Sequence, residues 1–206
     1  LAWLFYAVPL FFYLLYYCAQ FCYFFAPLLF FAHYYCLCVA FDRLTGNTMD
    51  FCPQELHEAM EPINQRIYDT LNNGVYRCGF ATTQTAYDAA VGPLFATLDW
   101  LEDRLSRKRY IMGDRLTEVD WRLFPTLLRF DNVYHLHFKC NRKRIIDYPN
   151  LWAYTRELYQ YEGIAETVNM DHIIRHYHYS HDTINPNRII PINPDIDWNA
   201  PHGRGD

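Results

Sequence analysis

The chain has 206 residues, enough for one domain or two small ones with a real core. A net charge of −5 and a pI near 6.0 exclude a basic field for nucleic acid or an anionic membrane surface. Seven cysteines, none in paired C-x-x-C spacing, argue against a structural zinc site and a disulfide scaffold, and point to reduced thiols in a cytoplasmic compartment.

Residues 1–41 contain no Asp, Glu, Lys or Arg, and the charged, periodic text begins at Asp42. Residues 1–45 are therefore read as an apolar leader distinct from residues 46–206. One reading is a membrane element, long enough at about 1.5 Å per residue to cross a core of roughly 30 Å twice, turning near Gln20. Pro9, Pro27 and the mid-segment Tyr13, Tyr16 and Tyr17 speak against it. The other reading is translation of a non-coding pyrimidine-rich stretch, since Phe, Leu, Tyr and Cys have thymine-rich codons. A signal peptide is excluded by length and by the missing basic start. The first residue is Leu1 rather than Met, and the chain is expected to be a fragment or an incomplete gene product.

From Pro53 the period is helical: Leu56, Met60, Ile63, Ile67 and Leu71 form one stripe. Asn72-Asn73-Gly74 is expected to stop that helix, with glycine as a left-handed cap. A second helix opens near Thr82-Thr83-Gln84, with Thr82 or Thr83 as its N-cap, and carries Tyr87, Val91, Leu94, Leu98 and Leu101, with Pro93 as a bend. Its basic end, from Arg104 to Arg109, suits the helix dipole. Thr117 and Asp120 open a third helix as a capping box with Asp in place of Glu, worth about 1 kcal/mol. Asp120 is read as structural, not as a catalytic acid. The third helix continues through Leu123, Leu127 and Phe130, and a fourth follows Tyr148-Pro149 and ends at Gly163. A shorter helix is expected from about Ala165 to Tyr177. Beyond about residue 182, repeated Asn-Pro pairs keep the tail extended. No alternating strand appears, so the fold class is all-α.

These residues resemble the C-terminal helical domain of glutathionyl-hydroquinone reductases, the Xi-class, omega-like glutathione transferases. The resemblance rests on Asn72-Asn73-Gly74-Val75-Tyr76, on Gly79 to Gln84, and on Gly113 to Thr117 with Asp120. It continues through Leu123 to Thr126, Arg129-Phe130-Asp131, Asn169 to Ile173, Arg175-His176-Tyr177 and Ser180-His181. It implies a glutathione-transferase helical bundle that shapes a hydrophobic pocket beside a thioredoxin-like half that binds glutathione. It also implies a homodimer. In the implied reaction, a thiolate of a Cys-Pro motif attacks the sulfur of a glutathionyl-hydroquinone and the hydroquinone leaves. A second glutathione then attacks the mixed disulfide left on the cysteine, which frees the thiol and releases glutathione disulfide. No thioredoxin pattern is seen in residues 1–41, so the catalytic cysteine is expected outside this chain, and the chain alone is expected to be inactive. Cys52-Pro53 falls where the family has its interdomain linker and is not assigned the role.

By the same resemblance Tyr76 and Tyr177 match tyrosines that line the hydroquinone site, and Tyr179 is a third candidate. A phenol can donate to a quinol oxygen while its ring packs on the substrate. His172 and His176, four apart, with His178 and His181 nearby, could in spacing hold zinc, but no Glu lies between them, and they are read as structural or pocket-edge residues. Arg142-Lys143-Arg144 is read as a solvated turn. Two other readings compete: a non-catalytic aromatic-ligand-binding domain, and a membrane-tethered helical partner module.

Overall fold

The computed structural model describes residues 49–205; the leader readings fall on residues outside that range. The chain divides into Leu1–Phe51 and Cys52–Asp206, and every element described here belongs to the second unit. We label six helices: α1 His57–Ile67, α2 Gly74–Gly79, α3 Gln84–Leu105, α4 Glu118–Arg129, α5 Pro149–Tyr159 and α6 Met170–Ser180. Among the described residues there is no β-strand, only an isolated bridge between Tyr110 and Gly113.

The apolar stripe of α1 is buried as its period predicts, with Met60, Ile67 and Leu71 almost fully enclosed. It packs on Leu94, Leu98 and Leu101 of α3 and on Leu123 and Leu127 of α4 in one core. Each of α1, α3 and α4 continues through an internal proline (Pro62, Pro93, Pro125). All three rings are exposed, so each lost backbone bond lies on the wet face, where water can satisfy the freed carbonyl.

Two expectations fail locally. Gly74 is not a left-handed cap; it is the first residue of α2, and Asn73 before it has ordinary helical dihedrals. Between α1 and α2 the backbone relaxes into a π-helical turn over Tyr68–Asn72. There Asn72 Nδ2 donates to the Arg122 carbonyl (3.0 Å) and to Thr126 Oγ1 (2.8 Å). The Asn that reads as a breaker is held by α4, a contact some 50 residues away. The helix expected from Ala165 to Tyr177 is likewise two pieces: a single turn Ala165–Thr167, then α6. Asn169 breaks them, adopting an extended backbone and accepting from the His172 amide at 3.0 Å.

Carboxylates, two of them buried, join the helices. Asp120 accepts from the amides of Thr117 (2.8 Å) and Ile111 (2.9 Å) and from the hydroxyls of Thr117 (2.9 Å) and Tyr154 (2.8 Å). Asp131 accepts from the amides of Ile145 and Ile146, and Glu102 of α3 caps α5 through the amides of Asn150 and Leu151. Arg142, Lys143 and Arg144 lie at the surface but each is engaged: Arg142 pairs with Asp99, Lys143 lies over the Tyr148 ring, and Arg144 pairs with Asp147. The tail beyond α6 has no helix. Trp198 packs against Trp152 and Tyr159, and Arg204 pairs with Glu157 at 2.6 Å.

Candidate functional site

Tyr76 rises from the middle of the short α2, which the buried Val75 and Cys78 tie to the core. Tyr134 ends a second π-helical turn, Phe130–Tyr134, that follows α4. Tyr177 sits in the last turns of α6, 101 residues from Tyr76. These three meet: the Tyr76 and Tyr177 hydroxyls are 2.7 Å apart, and those of Tyr134 and Tyr177 are 2.9 Å apart. Phe138 completes the wall, stacked on Tyr134 at 5.4 Å and 8° and 5.2 Å from the Tyr76 ring. Both π turns adjoin this wall, a common place for such irregularities.

The wall is graded in exposure. Tyr134 is 2% exposed and Tyr177 6%, whereas Tyr76 is 38% exposed, with the exposed Phe80 one helical turn on. Burial pushes the Tyr177 hydroxyl up to about 12 and raises that of Tyr134 as well, so both remain phenols, able to donate, at neutral pH. Tyr179, the third candidate, is 47% exposed. Two residues along a helix is about 200° of rotation, so it stands away from Tyr177 and does not join the wall.

Of the histidines singled out, His172 and His176 are exposed on α6, whereas His178 and His181 turn inward. They meet a residue that sequence reasoning misses, His137, whose Nε2 is 3.1 Å from His181 Nδ1 and whose ring centroid is 4.7 Å from that of His178. His178 Nδ1 donates to the Ile174 carbonyl at 3.0 Å. Among the described residues no three His, Cys, Asp or Glu side chains are arranged to hold a metal ion. Burial, helped by His178 and His181, lowers His137 to about 4. An unfolded imidazole titrates near 6.5, so the unfolded chain binds the extra proton between these values. His137 therefore contributes stability that is complete above about pH 6.5 and lost as pH falls toward about 4, up to about 3 kcal/mol. The urea midpoint is expected to drop between about pH 7 and about pH 5, and His137→Gln should flatten that slope. An equally steep slope in the variant would refute the assignment.

Tyr134 and Phe138 escape the sequence reading as well. The signal for them is the four-residue spacing of Phe130, Tyr134 and Phe138, which continues the Leu123–Leu127 stripe and so reads as ordinary helical core, with His137 beside it. Cys52 is half-buried, with its Sγ 3.2 Å from His57 Nε2; that same nitrogen lies 2.9 Å from the Cys52 carbonyl oxygen. Cys78 and Cys140 are buried free thiols.

Residues 84–157 match the family described as the glutathione S-transferase C-terminal domain. The helical part of this chain is a glutathione transferase C-terminal domain. Among its relatives, the glutathionyl-hydroquinone reductase PcpF of Sphingobium chlorophenolicum is 53% identical over 155 residues, covering 75% of this chain and 50% of PcpF. The reductase YqjG of Escherichia coli is 53% identical over 165 residues, covering 80% of this chain and 50% of YqjG. Among solved structures, glutathione-bound YqjG superposes with a TM-score of 0.80 at 53% identity, over 81% of this chain and 54% of that one. A Xi-class transferase from Natrialba magadii gives 0.80 at 50% identity, over 82% and 52%. The chain thus spans about half the length of the curated relatives it matches. The transferase domain is all-helical in its described residues, and none of its helices is long and apolar enough to cross a membrane.

Proposed function

We propose that this domain is the substrate-shaping half of a cytoplasmic, glutathione-dependent reductase acting on glutathionyl-hydroquinones. The observation that carries the reading is the convergence of Tyr76 and Tyr177, the tyrosines of the two class-specific runs, on one hydrogen-bonded wall. The relatedness to two glutathionyl-hydroquinone reductases at 53% identity supports it. The wall offers a half-exposed phenol, Tyr76, beside the rings of Phe138 and Phe80. Such a surface suits an aromatic diol: its ring packs face or edge against aromatic neighbours while a phenol donates to its oxygen.

Glutathione, with two carboxylates, is not matched by a wall of rings and hydroxyls. We place it, with the attacking thiolate, in a thioredoxin-like half, and a homodimer is the assembly the resemblance favours. The test is to mix the purified chain with methylhydroquinone and follow binding by tryptophan fluorescence. Saturable binding is expected, weakened about tenfold by Tyr76→Phe, the loss of one hydrogen bond to a desolvated oxygen. In a parallel assay with glutathionyl-hydroquinone and glutathione, the chain alone is expected to release no hydroquinone. Release at enzymatic rates would place the nucleophile inside the chain, with Cys52 the first residue to replace. Absence of any aromatic binding would end the pocket reading.

A further inference from the structure

The short helix α2 and the segment after Tyr134 touch directly: Phe138 faces Gly79 so closely that no β-carbon would fit between them. Cys78 immediately precedes Gly79, Cys140 follows Phe138 by two residues, and the two thiols are hydrogen-bonding neighbours. Cys78 is 1% exposed, Cys140 is fully enclosed, and both are free. The turn that presents Cys140 is firmly built. Lys139 takes left-handed dihedrals (φ 60°) and its carbonyl accepts from the Tyr87 hydroxyl at 2.7 Å, while the Cys140 amide donates to the Tyr134 carbonyl at 3.1 Å. The other side is looser. Cys78 lies at the end of a six-residue helix, its carbonyl accepts from the Ala81 amide at a long 3.4 Å, and the neighbouring Phe80 is 45% exposed. A short helix end of this kind opens far more readily than the core. Two buried thiols can serve simply as small apolar residues, but these two are unequal. The hydrogen bond from Cys140 holds the Cys78 thiol below its ordinary range, against the effect of burial, while the same contact and burial push Cys140 up. Until Cys78 loses its proton, the Cys140 sulfur rests 3.7 Å from the Phe138 carbonyl oxygen.

We propose that Cys78 and Cys140 form a redox-active dithiol that a small hydroperoxide closes to a disulfide, with Cys78 as the attacking sulfur and Cys140 as the resolving one. The assignment does not depend on the aromatic-pocket reading. When the end of α2 opens, the Cys78 thiolate attacks one oxygen of the peroxide, and a sulfur–oxygen bond forms as the oxygen–oxygen bond breaks. The departing oxygen takes up the proton that Cys78 gave away and leaves as an alcohol, or as water from hydrogen peroxide. The Cys140 sulfur then attacks the Cys78 sulfur, and the sulfenic oxygen leaves as water with the Cys140 proton. The two thiols lose two electrons and two hydrogens, and the peroxide is reduced. Size selects the oxidant, because a brief opening admits a molecule close to water in size far sooner than glutathione disulfide. The bond ties α2, which carries Tyr76 and Phe80, to the turn behind Phe138. A disulfide of this kind in a reducing compartment is typically transient and sensing rather than structural.

The experiment treats the full, fully reduced chain with hydrogen peroxide, dosed until the half-buried Cys52 is oxidised. Remaining thiols are then alkylated in denaturant and the chain is cut with trypsin. Cleavage after Arg77, Arg104, Lys139 and Arg142 places Cys78 and Cys140 in separate peptides, 78–104 and 140–142. The expected product is these two peptides joined and lighter by two hydrogens than their sum, formed in native buffer and split again by dithiothreitol. The order of attack is read from single variants, with sulfenic acid trapped by dimedone after unfolding. Cys140→Ala should leave Cys78 as a trapped sulfenic acid, whereas in Cys78→Ala the labelling of Cys140 should be about tenfold lower. Equal labelling of the two variants would overturn the order. If Cys52 is consumed while Cys78 and Cys140 both remain alkylatable, the pair is structural packing and the dithiol assignment is wrong. It is equally wrong if the joined peptides appear only after urea has unfolded the chain, or if either cysteine pairs instead with Cys52 or with a cysteine of residues 1–41. The native-chain result stands without the variants, so a variant that fails to fold does not leave the proposal undecided.

Discussion

Asp120→Ala is expected to destabilise the helical domain by about 4 kcal/mol, the largest loss from removing any one polar side chain in it. The carboxylate takes four hydrogen bonds, two on each oxygen. Ile111 and Tyr154 reach Oδ1, and the amide and hydroxyl of Thr117 reach Oδ2. Those donors come from the turn after α3, the start of α4 and the middle of α5, so one side chain joins three parts of the bundle. Alanine would leave two backbone amides and two hydroxyls buried without an acceptor. Tyr154 is fully enclosed and could not turn to water. Asparagine keeps one oxygen but turns an amide group toward two donors, and about 2–3 kcal/mol of loss is expected. The check is urea unfolding of both variants, with Asp147→Ala, an exposed ion-pair partner of Arg144, as a control that should lose less than about 1 kcal/mol. A loss of under about 1 kcal/mol for Asp120→Ala would show that these bonds do not hold the helices together. The same geometry bears on chemistry: a carboxylate whose lone pairs are all engaged inside the protein is poorly placed to serve a substrate as a base.

Gly79→Ala is expected to cost about 3 kcal/mol or more and to damage the tyrosine wall at the same time. A β-carbon at Gly79 would fall less than 3.0 Å from three carbons of the Phe138 ring. That ring has no room to retreat: it is fully buried, stacked on Tyr134 and in contact with Tyr76, Tyr177 and His181. Here glycine is required for close approach, not for an unusual dihedral. Gly92→Ala, within α3 where nothing lies within 4 Å of the added carbon, is the matched control. It should be neutral or stabilising by about 0.5–1 kcal/mol, because alanine is the better helix former. Thermal unfolding of the two variants, followed by the aromatic-binding assay on each, separates the effects. Equal melting temperatures would mean that Phe138 and α2 can part without penalty. A Gly79→Ala chain that melts early yet binds as well as the native one would detach the wall from the pocket.

Much of this domain is legible in the order of its amino acids. The runs behind α1, α3, α4 and α5 repeat apolar residues every three or four positions, and helical hydrogen bonds close within four residues, so both pattern and bond are local. Thr83 as the cap of α3, accepting from the Ala86 amide, is local for the same reason, as is the reach of Asp120 back to the Thr117 amide. Tyr76 and Tyr177 can be picked out, but only because the runs around them resemble a known class.

Tertiary structure decides the rest. Gly74 reads as a stop from its neighbours; it becomes a helix start because Asn72 is captured by Arg122 and Thr126 of α4. The break at Asn169 also runs against the local pattern, which joins Ala165 and Tyr177 in one helix. The membership of the site lies furthest from view. Tyr134 ends a π turn that His137 and Phe138 follow, their spacing reads only as core, and they acquire meaning as a site only against residues 39 to 44 positions away on and just beyond α6. Which hydroxyl meets which depends on how helices distant in sequence pack. Local propensity sets the helices, while the burial that brings Tyr134 against Tyr177 exists only once they have packed.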